Sequence, residues 1–215
     1  MTPTIYIVDD DPAVRDALAL QIKTQGLKVV PCDSAAAFLE VCNPRIIGCA
    51  IIDIRMPLVT GLALQEMLIE RKLNIPLVFI TGHGDVEQCR IAFKNGAVDF
   101  LTKPIDHQRL LDSLRRAVRI SIQQQRQEAE SQDVHNRLSR ISSREREVLE
   151  LVALGLSSKE IARELNLSPR TVEAHRANLF NKLDVTSLAD LIRFYLTTLE
   201  ATGLKLDADD TANNR

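Results

Sequence analysis

The sequence has no tryptophan, only 4% aromatic residues and just four cysteines among 215 residues. The cysteines, at positions 32, 42, 49 and 89, form no CxxC pair, and none precedes a histidine at the spacing of a zinc site. This pattern favours buried or incidental thiols in a reducing cytosol. A disulfide or a metal site is the less favoured alternative.

Long apolar runs are also missing. No segment approaches the ~20 apolar residues that a membrane-spanning helix requires. The first apolar segment, Ile5 to Val8, runs directly into acids and follows no basic stretch, so we expect no signal peptide and a cytoplasmic protein without a membrane partner. The net charge of -2 means that any nucleic-acid-binding surface must concentrate its basic residues on one face.

Short apolar runs alternate with helical patterns in the first half of the chain. The runs lie at Ile5–Val8, Leu27–Val30, Ala50–Ile52, Leu77–Ile80 and Val98–Leu101. Several are apolar at consecutive positions, which is typical of strands buried on both faces of a parallel sheet. The pattern therefore predicts a doubly wound α/β domain with a five-stranded parallel sheet. Its first helix should begin with Asp11 as N-cap and Pro12 in the first turn.

The second half of the chain predicts a separate, all-α domain. Residues 1–120 form the first domain, and residues 121–137 are a Gln-rich helical linker, because they hold five glutamines and few apolar side chains. Residues 138–200 should form four helices, and residues 201–215 a polar, disordered tail. Helix starts are predicted by capping boxes at Ser142 and Ser157, by Ser168 before Pro169, and by Ser187.

Polar residues follow four of the predicted strands, at the sheet edge where ligands bind in such folds. These residues are Asp9, Asp10, Asp53, Thr81 and Lys103. Neighbouring carboxylates raise one another's pKa values, and a hard divalent cation relieves this repulsion, so we expect Mg²⁺ on the three aspartates. Asp53 is then a carboxylate nucleophile that can accept a phosphoryl group, with Lys103 and the Thr81 hydroxyl bonded to phosphate oxygens.

These residues stand in four motifs: Val8-Asp9-Asp10-Asp11, Asp53-Ile54-Arg55-Met56-Pro57, Thr81-Gly82-His83-Gly84-Asp85 and Lys103-Pro104. In this order and spacing they resemble the CheY-like receiver domain of two-component response regulators, in the FixJ branch of the FixJ/NarL family. The resemblance implies a backbone carbonyl of Arg55 as a further metal ligand and Phe100 as a switch aromatic. It also implies a homodimer formed on phosphorylation through the fourth helix and the last strand.

Two positions depart from the family pattern. Leu58 stands where a glycine is frequent, which bears on loop mobility and phosphoryl lifetime, and Ile105 replaces a frequent phenylalanine. Neither change removes a reacting group. We interpret His83 as a loop residue with no role in proton transfer.

Residues 159–165, a turn, and residues 169–183 predict a helix-turn-helix, held together by Ile161, Ala162, Leu165, Leu167, Val172 and Leu179. The segment resembles the LuxR-type DNA-binding domain. The second helix presents basic and polar groups that can bind phosphates and base edges. The residues expected to contact DNA are Lys159, Arg170, Thr171, Glu173, Ala174, His175, Arg176, Ala177, Asn178 and Lys182.

Within that set, the resemblance places Thr171, Arg176, Asn178 and Lys182 near phosphates. It places Glu173, Ala174 and Ala177 at base edges. His175 is as consistent with packing as with DNA contact. A helical protein-binding module with a solvated charged face is the alternative for the whole domain.

The sequence thus predicts a response regulator rather than an enzyme. It should receive a phosphoryl group on Asp53 from a sensor histidine kinase, dimerise, bind double-stranded DNA and act on transcription with RNA polymerase. An Mg²⁺-dependent phosphate hydrolase is disfavoured, because it needs a second acid or base and the residue two past Asp53 is Arg55. A constitutive DNA-binding protein with a vestigial receiver is the other alternative, although no acid or lysine of the motif is lost.

Overall fold

A computed structural model describes residues 2–82 and 86–202, with residues 200–202 as backbone only. The chain divides into two compact units, Met1–Gln127 and Glu128–Arg215. His83 and the predicted tail from residue 203 onward lie outside the described residues. No helix in the described part of the chain is long and apolar enough to cross a membrane.

The first unit is a five-stranded, all-parallel sheet in the order β2-β1-β3-β4-β5. Its elements are β1 Thr4–Val8, α1 Pro12–Lys23, β2 Lys28–Cys32, α2 Ala35–Val41, β3 Gly48–Asp53, α3 Gly61–Glu70, β4 Leu77–Thr81, α4 Val86–Lys94, β5 Asp99–Thr102 and α5 His107–Leu138. The predicted fold class is therefore confirmed. Asp11 caps α1 by accepting a hydrogen bond from the Ala13 N–H, and Pro12 lies in the first turn, as predicted.

Side chains on both faces of the sheet are buried. Along β1, Tyr6 and Val8 join one apolar cluster, and Ile5 and Ile7 join the other. Because successive side chains of a strand point to opposite faces, a central strand between two layers of helices must be apolar at every position. This is why consecutive apolar runs identified the three central strands, β1, β3 and β4.

The two edge strands differ from the predicted runs. β2 extends beyond Val30 to Cys32 and includes Pro31, which an edge strand tolerates because its free side needs no backbone donor. β5 begins at Asp99 and ends at Thr102, so it carries polar residues at both ends. Apolar runs locate central strands better than edge strands, because edge strands are less completely buried.

Helix α5 continues through the segment predicted as a linker. Ser121 is buried, and its hydroxyl accepts a hydrogen bond of 3.0 Å from the Gly48 N–H at the start of β3. The Gln125 side chain donates to the Pro44 carbonyl. The first residues of the predicted linker thus pack on the first unit through polar contacts, which composition alone does not reveal.

The second unit contains α6 Ser143–Ala153, α7 Ser158–Glu164, α8 Pro169–Leu183 and α9 Leu188–Thr202. Ser142 and Ser157 form complete capping boxes with Glu145 and Glu160, as predicted. The core of this unit is built from Ile141, Val148, Leu149, Val152, Ile161, Ala162, Val172, Leu179, Leu183 and Leu191. All four helices contribute to this core, so it fixes the mutual orientation of α7 and α8.

Candidate functional sites

Asp53 is the last residue of β3, and its side chain is almost fully buried. Its Oδ1 lies 2.7 Å from Nζ of Lys103, and its Oδ2 accepts a 2.6 Å hydrogen bond from the Arg55 N–H. Gly61, the first residue of α3, packs against it so closely that an added Cβ would lie 2.4 Å from the Asp53 carbonyl oxygen. The carboxylate is therefore held at the carboxyl edge of the sheet by two donors.

Asp9 is the residue directly after β1, the strand that lies beside β3 in the sheet. It is 1% exposed, and its Oδ2 lies 2.8 Å from the same Lys103 ammonium. Burial raises the pKa of the Asp9 carboxyl, and the hydrogen bonds from Lys103 and the Asp11 N–H only partly oppose this rise. A second cation at this edge would therefore stabilise the charged form of Asp9 further.

Lys103 follows β5, so three strands bring its ammonium and the two carboxylates together. Burial alone would lower the pKa of Lys103, but the hydrogen bonds and charges of Asp53 and Asp9 outweigh it and raise that pKa. The ammonium is therefore held in its charged form, between two acids that would otherwise repel each other.

The third predicted ligand, Asp10, is exposed. Among the residues that the structure describes, no three acidic, histidine or cysteine side chains are arranged to hold a metal ion. Asp9 and Asp53 share Lys103 instead. Their oxygens are still the hard donors that Mg²⁺ prefers, so the donor set fits this cation, and Mg²⁺ would compete with Lys103 for the same two carboxylates.

Two further predicted residues lie on β4 and β5. Thr81 is the last residue of β4, is fully buried, and its carbonyl accepts a 2.7 Å hydrogen bond from the Lys103 N–H. Phe100 is half-buried and packs against the apolar cluster on one face of the sheet. Thr81 thus lies at the same edge of the sheet as Asp53. Phe100, by contrast, lies within β5 and pairs with Phe79 of β4.

The loop between β3 and α3 carries an unusual residue. Leu58 adopts a left-handed backbone with φ of 67°, and its side chain is fully exposed. A residue with a Cβ is strained in this conformation, whereas glycine is not. This explains why glycine is expected at this position and leucine is a departure. Ile105, the other departure, packs against the apolar cluster on the opposite face from Phe100.

In the second unit, α7 and α8 form the predicted helix-turn-helix. The turn between them is closed by a 2.8 Å hydrogen bond from the Leu167 N–H to the Ala162 carbonyl, with Asn166 in the left-handed region. Ser168 caps α8 by accepting from the Thr171 N–H. Ile161, Val172 and Leu179 are buried between the helices, and Leu165 and Leu167 are partly buried against them.

The predicted DNA-contacting residues fall into two sets. Exposed residues without a side-chain hydrogen bond or ion pair in the described part of the chain are Lys159, Arg170, Ala174, Ala177 and Asn178. The remaining residues are Thr171, His175, Arg176 and Lys182, which are only partly exposed, and Glu173, which is exposed but hydrogen-bonded to Ser158. The first set can meet an external ligand without breaking an internal contact.

Three of the other residues are bonded to neighbouring helices. The Ser158 hydroxyl at the start of α7 donates to Oε1 of Glu173 and accepts a 3.2 Å hydrogen bond from Arg176. The Lys182 ammonium lies 2.9 Å and 2.7 Å from the two carboxylate oxygens of Glu145 on α6. Side chains of the second helix of the helix-turn-helix are therefore positioned by both α6 and α7.

Two family models match the chain. Residues 5–115 match the response regulator receiver domain, and residues 139–195 match the luxR family of bacterial regulatory proteins. The chain belongs to the response regulator family. It is a transcriptional regulator of a two-component system, with a receiver domain and a LuxR-type helix-turn-helix domain.

Curated relatives align with this response regulator over nearly their whole length. The transcriptional regulatory protein FixJ of Azorhizobium caulinodans is 42% identical over 192 residues, which cover 89% of this chain and 91% of that protein. The response regulator protein TodT of Pseudomonas putida is 41% identical over 189 residues, 88% of this chain and 83% of that protein. These matches confirm the family and branch predicted from the motifs.

Solved structures support the fold of the response regulator. The low-resolution structure of the response regulator StyR has a TM-score of 0.85 and 40% identity, covering 92% of this chain and all of that chain. Full-length FixJ from B. japonicum has a TM-score of 0.55 and 38% identity, covering 95% of this chain and all of that chain. Each match covers more than nine tenths of this chain and therefore extends over residues of both units.

Several residues that position the two sites were not predicted from the sequence. Arg15 donates a 2.7 Å hydrogen bond to the Asp9 carbonyl, and Ser158 orients Glu173 and Arg176. Glu145 was predicted only as a capping residue, yet it is buried and also binds Lys182. A charged or hydroxyl residue in the first turns of a helix is too common for its sequence position to indicate such a role.

Proposed function

We propose that this response regulator accepts a phosphoryl group on Asp53 from a sensor histidine kinase, and that the modified chain dimerises and binds DNA to control transcription. The observation that carries the proposal is the Lys103 ammonium, which lies within 2.8 Å of both Asp9 and Asp53. Three charged groups from separate strands converge on one edge, where a phosphoryl group could be bound and neutralised.

In the proposed step, an oxygen of the Asp53 carboxylate attacks the phosphorus of a phosphohistidine. A P–O bond forms, the P–N bond breaks, and the donor histidine leaves with the electron pair of that bond. Lys103 then loses its contact with one Asp53 oxygen and binds an oxygen of the new phosphoryl group. The Thr81 hydroxyl, at the end of the neighbouring strand, is our candidate for a further donor to that group.

Asp9, Asp53, Asp10 and the Arg55 carbonyl are the proposed ligands of Mg²⁺. When bound, this cation would neutralise the negative charge of the transferring oxygens. Asp9 is the best supported of these ligands, because it is buried, shares the Lys103 ammonium with Asp53 and is hydrogen-bonded in place by the Asp11 N–H. Asp10, being exposed, is the least supported.

The downstream steps rest on the family resemblance. Rearrangement of Thr81 and Phe100 would change the surface formed by α4 and β5, and this surface would pair two receivers. Two helix-turn-helix domains then bind a two-fold related DNA site. Lys159 and Arg170 are our own candidates for phosphate contacts, because both are exposed and make no side-chain bond in the described part of the chain. RNA polymerase is the proposed partner at the promoter, and cytoplasm the proposed location.

Two alternatives are disfavoured by specific residues. A phosphate hydrolase requires an acid or base beside the nucleophile, but Arg55 is exposed and its backbone N–H donates to Asp53. A vestigial receiver would have lost an acid or the lysine, whereas Asp9, Asp53 and Lys103 are present and in contact.

The site of modification can be tested by intact mass spectrometry. The full chain is incubated with Mg²⁺ and acetyl phosphate, beside Asp53→Asn and the control Asp112→Asn, which removes an exposed acid of α5. We expect one added phosphoryl group on the wild type and on the control, and none on Asp53→Asn. Equal modification of all three proteins would overturn Asp53 as the acceptor.

A further inference from the structure

We propose that Ser158 fixes the Glu173 carboxylate so that Glu173 recognises cytosine in the major groove, an inference that rests on the proposed DNA binding. Three hydrogen-bonding groups form a relay across the helix-turn-helix. Arg176 donates to the Ser158 oxygen over 3.2 Å, and the Ser158 hydroxyl donates to Glu173 Oε1. One hydroxyl thus joins a cation and an anion that lie one turn apart on α8.

The relay settles which way the Ser158 proton points. An Arg guanidinium can only donate, so Ser158 accepts from Arg176 and must give its single proton to Glu173. A hydroxyl that accepts from a cation becomes a stronger donor, which tightens its bond to the carboxylate. Glu173 therefore loses the rotational freedom that an exposed glutamate normally keeps.

The second oxygen of Glu173 has no partner among the described residues, and the side chain is exposed. It lies on one face of α8 with Arg170, Ala174 and Ala177, because residues three and four apart are neighbours on a helix. The two alanine side chains on that face are shorter than the Glu173 side chain, so the carboxylate extends beyond them. A carboxylate there is repelled by phosphates, so its favourable partner in DNA is a base donor.

Only two groups in the major groove can donate to a carboxylate, the amino groups of cytosine and of adenine. On adenine, the amino group stands beside N7, an acceptor that would repel a carboxylate oxygen. Cytosine has no such acceptor next to its amino group in the groove. A carboxylate with one oxygen already held by Ser158 is therefore suited to a single bond from cytosine.

The structure also supplies a matched control. Ser158 is the first residue of α7, directly after the capping serine Ser157. Ser143 occupies the same place in α6, after the capping serine Ser142, and its side chain is exposed with no bond in the described part of the chain. Replacing either serine by alanine leaves both capping boxes intact, but only Ser158→Ala breaks the relay.

The test is selection of duplexes from a randomised pool by the full chain, with Mg²⁺ and acetyl phosphate present. Affinities are then measured for each of the four bases at every selected position. We expect the wild type to prefer cytosine by about fivefold or more at one position of each half-site. Glu173→Gln should change that preference to adenine, since glutamine bonds both N6 and N7 of adenine.

Ser158→Ala should reduce the cytosine preference to about twofold or less, since a monodentate bond from a mobile glutamate discriminates weakly. Ser158→Thr, which keeps a hydroxyl, and Ser143→Ala should both retain the preference. A cytosine preference that survives Glu173→Gln would overturn this inference but not the proposed DNA binding. The same conclusion would follow if Ser158→Ala and Ser143→Ala showed equal cytosine preferences. A wild type that selects no sequence would overturn the proposed DNA binding, and this inference with it.

Discussion

The ammonium of Lys103 lies 2.7 Å from Oδ1 of Asp53 and 2.8 Å from Oδ2 of the buried Asp9. In this response regulator, one cation therefore compensates two acids that belong to different strands. The proposed phosphoryl transfer adds negative charge at the same point, so Lys103 is placed both to stabilise the unmodified site and to bind the product.

Replacing Lys103 by methionine should destabilise the receiver domain by about 1–3 kcal/mol in the absence of Mg²⁺, because two buried carboxylates lose their cation. Added Mg²⁺ should raise the melting temperature of Lys103→Met more than that of the wild type, since the ammonium no longer competes for the carboxylates. Scanning calorimetry measures both effects. Lys28→Met, which removes an exposed lysine, is the control. Equal Mg²⁺ responses in all three proteins would contradict the shared site.

Leu58→Gly should stabilise the receiver domain by about 0.5–1 kcal/mol, because glycine relieves the left-handed strain and no buried contact is lost. The same change at Leu20, which is 69% exposed within α1, should destabilise by about 1 kcal/mol, because glycine is unfavourable inside a helix. Urea unfolding followed by circular dichroism measures the two changes. Destabilisation of similar size at both positions would show that Leu58 is not strained.

Glu145 should make the stability of the helix-turn-helix domain dependent on pH. Burial opposes ionisation, but the hydrogen bonds from Lys182 and Ser142 outweigh burial and lower the pKa of Glu145 below its usual value of 4.5. A carboxyl with a lowered pKa stabilises the fold above its unfolded pKa, and this contribution is lost as the pH falls through the folded pKa.

The variant Glu145→Gln keeps a side chain able to cap α6 but leaves Lys182 without its anion. At pH 7 we expect a loss of about 2–3 kcal/mol, less than for a fully buried pair because Lys182 is partly exposed. Hydrogen exchange of the α6 amides measures this free energy. The difference in stability between wild type and variant should narrow as the pH falls below 4.5 and through the lowered pKa of Glu145. A difference in the free energy of unfolding that stayed constant from pH 7 to 3 would exclude the ion pair as its source. The control is Glu150→Gln, which replaces an exposed acid of the same helix and should leave this free energy almost unchanged.

The sequence predicted the convergence of Asp9, Asp53 and Lys103 because each follows a buried strand, and parallel strands present their carboxyl ends at one edge. It did not predict that Lys103 would hold both acids at once, since that depends on side-chain conformations. For the same reason, the sequence did not predict that Asp10 would be exposed. Adjacent residues at a strand end point in different directions, and sequence alone does not say which one turns inward.

In the second domain, the apolar spacing of Ile161, Val172 and Leu179 predicted the pairing of α7 and α8. The contacts of Ser158 with Glu173, and of Lys182 with Glu145, could not be predicted in the same way. Polar side chains on adjacent helices meet according to the crossing geometry of those helices, and the apolar period fixes only which faces pack together. The bond between Lys182 and Glu145 argues against the proposed role of Lys182 at DNA phosphates. Lys159 and Arg170, by contrast, make no side-chain hydrogen bond or ion pair with the residues that the structure describes.

The proposed coupling between Asp53 and DNA is tested most directly by one paired measurement. The affinity for a selected duplex and the sedimentation coefficient are determined for wild type and Asp53→Asn, each with and without acetyl phosphate and Mg²⁺. We predict that acetyl phosphate makes the wild type dimerise and bind the duplex more tightly, and leaves Asp53→Asn unchanged. Identical affinities for both proteins in all conditions would leave the helix-turn-helix domain as a DNA-binding unit and would contradict its control by phosphorylation.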